Sequence, residues 1–358
     1  MKTKILFIAT KQSTYSRIKL MRRSFDKDYE VCCLFSESTF YLIRILQVCW
    51  RFAWMNKKNY DIVVVGFFAQ LIFPFVRMFW RGKIISDCFI SLYDSLICDR
   101  ARYRKGGLIA RLSFKMDAYM LRHSDVSLTD TLVHARYMSK TFDLDIGRIK
   151  EILVSADDEV FTFSPARAEQ YVEGTVFRVL FYGAFIPLHG VEVIVEAASY
   201  LKEVSMRVEM VGSGQTHEEA RQLAKSLGCE NIDFIEMPSL VELAEMSRRS
   251  HLLLGIFGST EKARRVIPNK VFEAVALGRP VITGDSQTIR DFFVDGENII
   301  LVPFGDARAL ADKILWAQQN YAAACAIGCS GRKVFDEELS LEHVRKELSY
   351  VVDSVLAR

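Results

Sequence analysis

Patterns that identify several common classes of protein are missing from the sequence. Its eight cysteines include no C-x-x-C pair, and its six histidines show no H-E-x-x-H or similar spacing. We therefore expect reduced core thiols and no metal site. No G-x-G-x-x-G follows the first predicted strand, and no G-x-x-x-x-G-K-[ST] occurs anywhere. Their absence argues against NAD-dependent enzymes and P-loop kinases, and no bound cofactor is expected.

Long apolar runs are missing as well. The longest covers residues 62–76 and is shorter than the ~18 residues that a membrane span needs; it also contains Gly66, Gln70 and Pro74. The apolar run that follows Lys4 is too short for the hydrophobic region of a secretory signal. We therefore expect a cytoplasmic protein, either free or at the inner face of the cell membrane.

The sequence does contain a repeated alternation of short apolar runs and helix-like stretches. Its 358 residues exceed the ~250–300 at which single cores stop growing, so two domains are expected. Runs such as KILFIAT, DIVVVG, FRVLFYGAF and PVITGD alternate with helical periodicity, which predicts parallel sheets covered on both faces. We predict an α/β fold with Rossmann-like doubly wound domains over residues 1–163 and 174–340. A C-terminal helix over 341–358 would pack back on the first domain, and the two domains would face a central cleft.

The charge is divided unevenly along the chain. Residues 1–165 hold 26 Lys and Arg against 17 Asp and Glu, a balance of +9, and the remainder hold 21 against 27, a balance of −6. The net charge of +3 hides this asymmetry. A basic N-terminal half could face an anionic membrane, an anionic acceptor or nucleic acid. No nucleic-acid-binding signature accompanies it, so no nucleic-acid partner is expected.

One stretch, RRVIPNKVFEAVALGRPVITGD, combines a lone carboxylate with nearby cations. Glu273 lies in an apolar helix that begins near Pro268 and ends at Gly278, and Lys270 precedes it by three residues on the same helix face. Such a carboxylate either favours the positive end of the helix dipole or accepts hydrogen bonds from the hydroxyls of a ribose. Glycines after predicted strands, at positions 183, 190, 212 and 214, would let backbone N–H groups approach a phosphate.

These segments resemble the donor-nucleotide site of the GT-B glycosyltransferases, in particular glycosyltransferase family 4. FEAVALGRPVITGD is similar to the family's E-A-x-A-x-G-x-P-V-I helix, and FYGAFIPLHGVEVIVEAASYL and MRVEMVGSG are similar to the first two βα units of its second domain. The resemblance covers nearly the whole chain from Asp125 onward and is weak before it. It implies a GT-B architecture and a hexosyl- or N-acetylhexosaminyl-type transferase. The donor would be a nucleotide-diphosphate sugar and the acceptor a saccharide or lipid-linked saccharide, in the synthesis of cell-surface polysaccharide or glycoconjugate.

The resemblance also implies roles for individual residues. Glu273 would bind the ribose hydroxyls, Gly183 and Gly212 would lie beside the phosphates, and the strand end at Met237 would hold the base. Family 4 enzymes retain the anomeric configuration, and the donor phosphate itself can accept the acceptor proton. The resemblance therefore implies a retaining, metal-independent transfer.

The sequence departs from the family at three positions. Arg265 stands where relatives have a first glutamate. Ala184 and His189 stand where they have the Arg and Lys that contact the diphosphate. We predict that Lys270, with Lys262 or Arg265, holds the diphosphate instead.

Candidate catalytic residues are fewer. Asp94, in the stretch SDCFISLYDSLICDR, follows a predicted strand and is the leading acceptor-site candidate. His189 is a candidate for polarising the phosphate or the sugar. Two alternatives stay open: a GT-B-like sugar-nucleotide epimerase, and a catalytically silent partner protein that keeps the fold.

Two groups of cations and aromatics in the N-terminal half suit docking on an anionic membrane surface. They comprise Arg44, Arg51, Lys57 and Lys58 with Trp50, Phe52 and Trp54, and Arg77, Arg81 and Lys83 with Phe79 and Trp80. The alternative is that these aromatics belong to the core.

Overall fold

The structure is a computed structural model that describes residues 2–10, 12–167, 169 and 171–358. It divides into two compact units. Unit 1 comprises Met1–Val154 and Leu341–Arg358, and unit 2 comprises Ser155–Ser340. Unit 2 is therefore inserted into unit 1 along the sequence.

Strands and helices alternate through both units. In chain order they are β1 Lys4–Ile8, α1 Ser16–Asp28, β2 Glu30–Leu34, α2 Tyr41–Trp54, β3 Ile62–Val65, α3 Phe73–Phe79, β4 Lys83–Asp87, α4 Leu108–His123, β5 Val126–Thr129, α5 Leu132–Phe142, β6 Ile149–Glu151, β7 Phe177–Tyr182, α6 Val191–Ser199, β8 Met206–Val211, α7 His217–Ser226, β9 Ile232–Ile235, α8 Leu240–Arg249, β10 Leu252–Leu254, α9 Asn269–Leu277, β11 Val281–Gly284, α10 Gln287–Arg290, β12 Ile300–Val302, α11 Ala307–Gln319, α12 Tyr321–Val334 and α13 Leu341–Leu356.

Each unit is built on one six-stranded sheet in which neighbouring strands run parallel. The strand order is β2-β1-β3-β4-β5-β6 in unit 1 and β12-β11-β10-β7-β8-β9 in unit 2. In such sheets the order reverses at one point, and ligands bind there, outside the carboxyl ends of the strands. In unit 2 this point lies between β7 and β10, so the residues that follow β7 are the first place to look for a site.

Burial explains why these segments form strands. Every residue of β3 and β11 is buried, and only the second residue of β7 is exposed. Continuous burial is typical of parallel strands that are covered on both faces. Because the runs have no alternating polar face, the sequence predicts the strands but not which face each side chain takes.

The C-terminal helix α13 packs on α1 within unit 1. Its apolar face is buried, and its polar side is tied to the end of α1, where Ser349 Oγ donates to Asp28 Oδ2 at 2.7 Å. Arg345 forms an ion pair with the same carboxylate. Tyr29 Oη donates to the Ser349 carbonyl at 3.2 Å. These contacts make residues 341–358 part of unit 1.

The first boundary between the units falls before residue 163, where the sequence predicts the end of the first domain. Ser164 N donates to the Leu277 carbonyl at 2.9 Å, and Arg248 Nη2 donates to the Val160 carbonyl at 2.6 Å. The segment around residues 160–166 is therefore packed within unit 2.

Candidate functional site

A cluster of buried charged and aromatic residues lies at the carboxyl end of β7 in unit 2. The last two residues of the strand, Phe181 and Tyr182, and the following Gly183 contact two side chains of α9, Lys270 and Glu273. The sequence brings them together because β7 lies beside the reversal point of the sheet and α9 follows β10, the strand on the other side of it. The cluster therefore occupies the position at which doubly wound sheets bind ligands.

Lys270 is a buried cation that lacks a hydrogen-bond acceptor. Its Nζ lies 4.0 Å from the centroid of the Phe181 ring, as in a cation–π contact. It has no hydrogen-bond partner among the residues that the structure describes. Burial lowers the pKa of Lys270 to about 7, and Glu273 offsets part of that effect. A group of this kind is stabilised when an anion enters and accepts its hydrogen bonds.

Glu273 is the one acidic residue of α9, and it is held by a tyrosine. Tyr182 Oη donates to Glu273 Oε2 at 2.5 Å. Burial raises the pKa of Glu273 to about 7, although the Tyr182 hydrogen bond and the Lys270 charge lower it. Burial and Glu273 raise the pKa of Tyr182 well above 10, so its hydroxyl remains a donor. The carboxylate is therefore held in place by a contact between α9 and the end of β7.

Gly183 is placed so that a side chain would fill the cluster. Its φ is +146°, and an added Cβ would lie 3.0 Å from His189 Cε1 and 3.2 Å from Lys270 Nζ. The His189 ring also packs edge-on against Phe181, with the ring centroids 5.7 Å apart. Lys270 and His189 therefore approach the same glycine.

Gly212, which follows β8, borders Gly183, and Met237, which follows β9, borders Gly212. An added Cβ on Gly212 would lie 2.1 Å from the Gly183 carbonyl oxygen and 3.2 Å from Met237 Cε. The Gly212 N–H donates to the Ile235 carbonyl at 2.8 Å. The backbone segments that follow β7, β8 and β9 therefore run close together. A side chain at Gly212 would prevent this close approach.

The N-terminus of α6 lies next to His189 in the sequence, and its first turn carries Glu192. The helix follows His189 and begins after Gly190, whose φ is +62° and which makes no side-chain cap. An added Cβ there would lie 2.3 Å from the backbone nitrogen of Gly258. A helix N-terminus presents unpaired N–H groups and a partial positive charge, which favour a phosphate.

Three further predicted site residues are Lys262, Arg265 and Asp94. Lys262 is buried and directly precedes the short 3-10 turn Ala263–Arg265 upstream of α9, and Arg265, the last residue of that turn, is half-buried. Asp94 belongs to unit 1, where it begins a π-helical turn over Asp94–Asp99 and is fully buried. Its backbone N–H donates to Ser91 Oγ at 3.0 Å. The roles of these three residues stay predictions.

The predicted membrane-facing groups need correction. Arg44 is buried and donates to the carbonyls of Thr10 and Ser38 at 2.6–3.0 Å. Phe52 is fully buried, and Trp80 is nearly so, with its indole N–H donating to the Lys83 carbonyl at 2.9 Å. Arg44, Val48 and Phe52 recur every four residues and form the buried stripe of α2. Trp80 directly follows α3.

Sequence reasoning missed Phe181 and Tyr182. The run FRVLFYG predicts a buried strand, but its continuous apolar character hides which residues meet a charged partner. A tyrosine at the end of such a strand, next to a glycine, was the available signal, since a buried hydroxyl needs a partner.

No group of three or more His, Cys, Asp or Glu side chains in the described part of the chain is placed to hold a metal ion. None of its described helices is both long and apolar enough to cross a membrane.

Comparison with known sequences identifies the family that unit 2 matches. Residues 176–320 match the family described as "Glycosyl transferases group 1". The uncharacterized glycosyltransferase MJ1178 of Methanocaldococcus jannaschii is 25% identical over 49% of this chain and 49% of its own length. The putative colanic acid biosynthesis glycosyltransferase WcaL of Salmonella typhimurium is 24% identical over 85% of this chain and 77% of its own. For the first of these relatives, the match spans about half of the relative.

Comparison with solved structures covers the whole chain. Sucrose-phosphate synthase from Thermosynechococcus elongatus superimposes with a TM-score of 0.78 at 14% identity, over 99% of this chain and 100% of that one. The Anabaena protein HepE in complex with UDP superimposes with a TM-score of 0.72 at 12% identity, over 98% and 100%. The predicted α/β class with two doubly wound domains is confirmed. The chain therefore has the GT-B fold of these glycosyltransferases, and the unit that carries the Lys270–Glu273 cluster resembles the group 1 glycosyltransferases.

Proposed function

We propose that the protein is a glycosyltransferase that moves a sugar from a nucleotide-diphosphate sugar to a saccharide or lipid-linked saccharide. The family match covers the unit that contains the site. Structures of HepE, which has the same fold, contain UDP, UDP with glucose, or UDP-glucose. The name of WcaL refers to colanic acid, a polysaccharide, which supports a role in the synthesis of cell-surface polysaccharide or glycoconjugate.

In this proposal the donor diphosphate lies beside Gly183. Lys270 and His189 approach that glycine from two sides, and the N-terminus of α6 adds backbone donors. Glu273 accepts hydrogen bonds from the ribose hydroxyls. The observation that carries the proposal is the buried ammonium of Lys270, which lacks a hydrogen-bond partner among the described residues. A buried charge without partners is unfavourable, and a diphosphate would supply the missing acceptors.

Donor binding is tested by the thermal stability of the protein with UDP-, GDP- and TDP-sugars. A ligand that binds only the folded state stabilises it by about 2.7 kcal/mol at a hundred times its Kd. We expect the nucleotide sugars of one base to raise the melting temperature. The nucleoside diphosphate of the same base should raise it as well. If no nucleoside diphosphate or nucleotide sugar shifts the transition, the proposed donor site is wrong.

Transfer itself is tested with the donor that binds and a panel of saccharide acceptors. Formation of a longer saccharide with release of the nucleoside diphosphate distinguishes a transferase from an epimerase, which returns a nucleotide sugar, and from a silent partner, which does neither. The same assay decides between hexosyl and N-acetylhexosaminyl transfer. We expect the product to keep the anomeric configuration of the donor, as NMR would show, and the rate to survive EDTA.

We also include peripheral contact with an anionic membrane in the proposal. Helix α2 exposes Leu42, Leu46, Trp50 and Trp54, four residues apart in sequence and each 66–73% accessible. This set, the α2 stripe, forms one apolar line along the helix. Arg51, in the same helix, is exposed. Apolar residues with tryptophan beside cations suit the interface of an anionic leaflet, where a lipid-linked acceptor would be found.

Membrane contact is tested by flotation with vesicles. Vesicles of phosphatidylcholine alone should leave the protein unbound, and vesicles with added phosphatidylglycerol should carry it upward. Binding that weakens as salt is added would support the anionic component. Absence of binding to either vesicle would contradict the membrane part of the proposal and leave the donor site unaffected.

A further inference from the structure

The geometry points to Tyr182 as a positioning residue that keeps the Glu273 carboxylate oriented and charged for the ribose of the donor. The inference rests on the proposed nucleotide site and adds a residue that the family resemblance does not supply. Tyr182 acts through Glu273, so it is not itself expected to contact the sugar.

The first step is the contact between the two side chains. Tyr182 Oη lies 2.5 Å from Glu273 Oε2, and both residues are buried. A short hydrogen bond to an ionised oxygen is among the stronger contacts in proteins. Because Tyr182 is at the end of β7 and Glu273 is on α9, this bond fixes the carboxylate relative to the sheet as well as to its own helix.

The second step is the cost of burial. Three groups act on the charge of Glu273: Tyr182 from β7, Lys270 from α9, and Asp157 from the segment before β7. Tyr182 and Lys270 favour the ionised form, while Asp157 and burial oppose it. Lys270 is also the residue assigned to the diphosphate. Tyr182 is therefore the donor that can hold Glu273 ionised whether or not Lys270 is engaged with a ligand.

The third step is what the carboxylate loses without the tyrosine. A protonated carboxyl keeps fewer acceptor positions and makes weaker hydrogen bonds to hydroxyls than a carboxylate does. A phenylalanine at 182 fills the same space but removes the donor. Glu273 would then favour its protonated form more strongly and could rotate, so recognition of the ribose should suffer more than recognition of the phosphates.

The binding experiment separates ribose recognition from overall affinity. It compares UDP and GDP with their 2′,3′-dideoxy forms in the wild type, Tyr182→Phe, Glu273→Gln and Tyr321→Phe. Tyr321 is another buried tyrosine of unit 2 and serves as the matched control. We expect the wild type and Tyr321→Phe to prefer the ribose form by roughly tenfold or more, as for hydrogen bonds to a charged group. In Tyr182→Phe and Glu273→Gln the preference should fall to about threefold or less.

A second readout needs no ligand. Because the Tyr182 hydrogen bond lowers the pKa of Glu273, its removal should raise that pKa further. A carboxyl whose pKa is raised by folding contributes stability at low pH that is lost as pH rises through the folded pKa. The stability lost in Tyr182→Phe should therefore be greater at pH 8 than at pH 5. The loss should not change with pH when Glu273→Gln is present, nor in Tyr321→Phe.

The outcomes separate the inference from the proposed function. If Tyr182→Phe keeps the full ribose preference, or if its stability loss is independent of pH, Tyr182 is only a packing residue and the inference is wrong. If the wild type binds neither nucleotide, the proposed function fails, and with it the assigned role of Glu273. The pH readout would then still show whether Tyr182 holds that carboxyl ionised.

Discussion

Arg17 in unit 1 and Lys270 in unit 2 are both buried, but the two cations are held in opposite ways. Arg17 of α1 in unit 1 donates to both carboxylate oxygens of Asp87 at 2.9–3.2 Å and to the Ile152 carbonyl at 2.8 Å. Lys270 in unit 2 rests on an aromatic ring and has no hydrogen-bond partner among the described residues. Buried charge is tolerated when its hydrogen bonds are satisfied and is unfavourable otherwise. The contrast explains why Lys270, and not Arg17, is the cation that we propose for binding a ligand.

The largest expected effect is the loss of stability when the Arg17–Asp87 ion pair is broken. Arg17→Met leaves the carboxylate of Asp87 buried without its cation, so we expect a loss of about 3–5 kcal/mol in the free energy of unfolding. Urea denaturation of the full chain, followed by circular dichroism, measures it. The double variant Arg17→Met/Asp87→Leu should regain much of the loss, since both charges are gone. A loss below about 1 kcal/mol in the single variant would show that the pair is not structural.

The next largest effect is on nucleotide affinity and concerns Lys270. Lys270→Met keeps most of the apolar volume and removes the charge, so the fold should keep its stability or gain some. The Kd for UDP or GDP, whichever binds, should rise roughly tenfold to a hundredfold, because a hydrogen bond to a charged group contributes about 1.5–3 kcal/mol. Isothermal titration calorimetry measures the change. Lys225→Met, at an exposed position of α7, is the control. Unchanged nucleotide affinity in Lys270→Met would remove Lys270 from the site.

A pH series sharpens the same comparison without ligand. Folding lowers the pKa of Lys270 to about 7, so this group contributes stability above its unfolded pKa that is lost as pH falls through the folded pKa. Relative to the wild type, Lys270→Met should therefore be most stabilised at or below pH 7. That advantage should shrink as pH rises toward 10. Urea midpoints of the wild type and Lys270→Met at pH 6, 8 and 9.5 check this. A stability gain of Lys270→Met that grows with pH would contradict the burial of a charged Lys270.

The smallest effect on stability is expected on the surface of unit 1. Trp50→Ser and Trp54→Ser change exposed side chains of the α2 stripe, so the free energy of unfolding should move by no more than about 0.5 kcal/mol. Flotation with anionic vesicles should nevertheless decrease. Tyr350→Ser removes an equally exposed aromatic from α13 and should leave flotation unchanged. Equal flotation of all three variants and the wild type would exclude the α2 stripe as the docking surface.

The sequence predicts the elements of the fold well and their side-chain contacts less well. Helix α9 lies between Pro268 and Gly278, as the sequence indicates, and the φ of Gly278 is +73°. Lys270 and Glu273 share a helix face because they are three residues apart, which is a local property. Local patterns therefore account for the half of the site that α9 supplies.

The other half depends on contacts between distant parts of the chain. Tyr182 and Glu273 are 91 residues apart, and Arg17 and Asp87 are 70 apart. A continuous apolar strand does not reveal which of its residues meets a charge, and a helix with a wide apolar face does not reveal which cations turn inward. Arg44 illustrates the second case, because it was expected at the surface and instead caps buried carbonyls.

The division of unit 1 into two sequence segments has a consequence for synthesis on the ribosome. All the residues of unit 2 lie between positions 155 and 340, so that unit is complete before the last helix emerges. Unit 1 has to wait for α13, whose buried face includes Leu348 and Val352, to cover α1. Unit 1, whose synthesis begins first, is therefore expected to finish folding after unit 2.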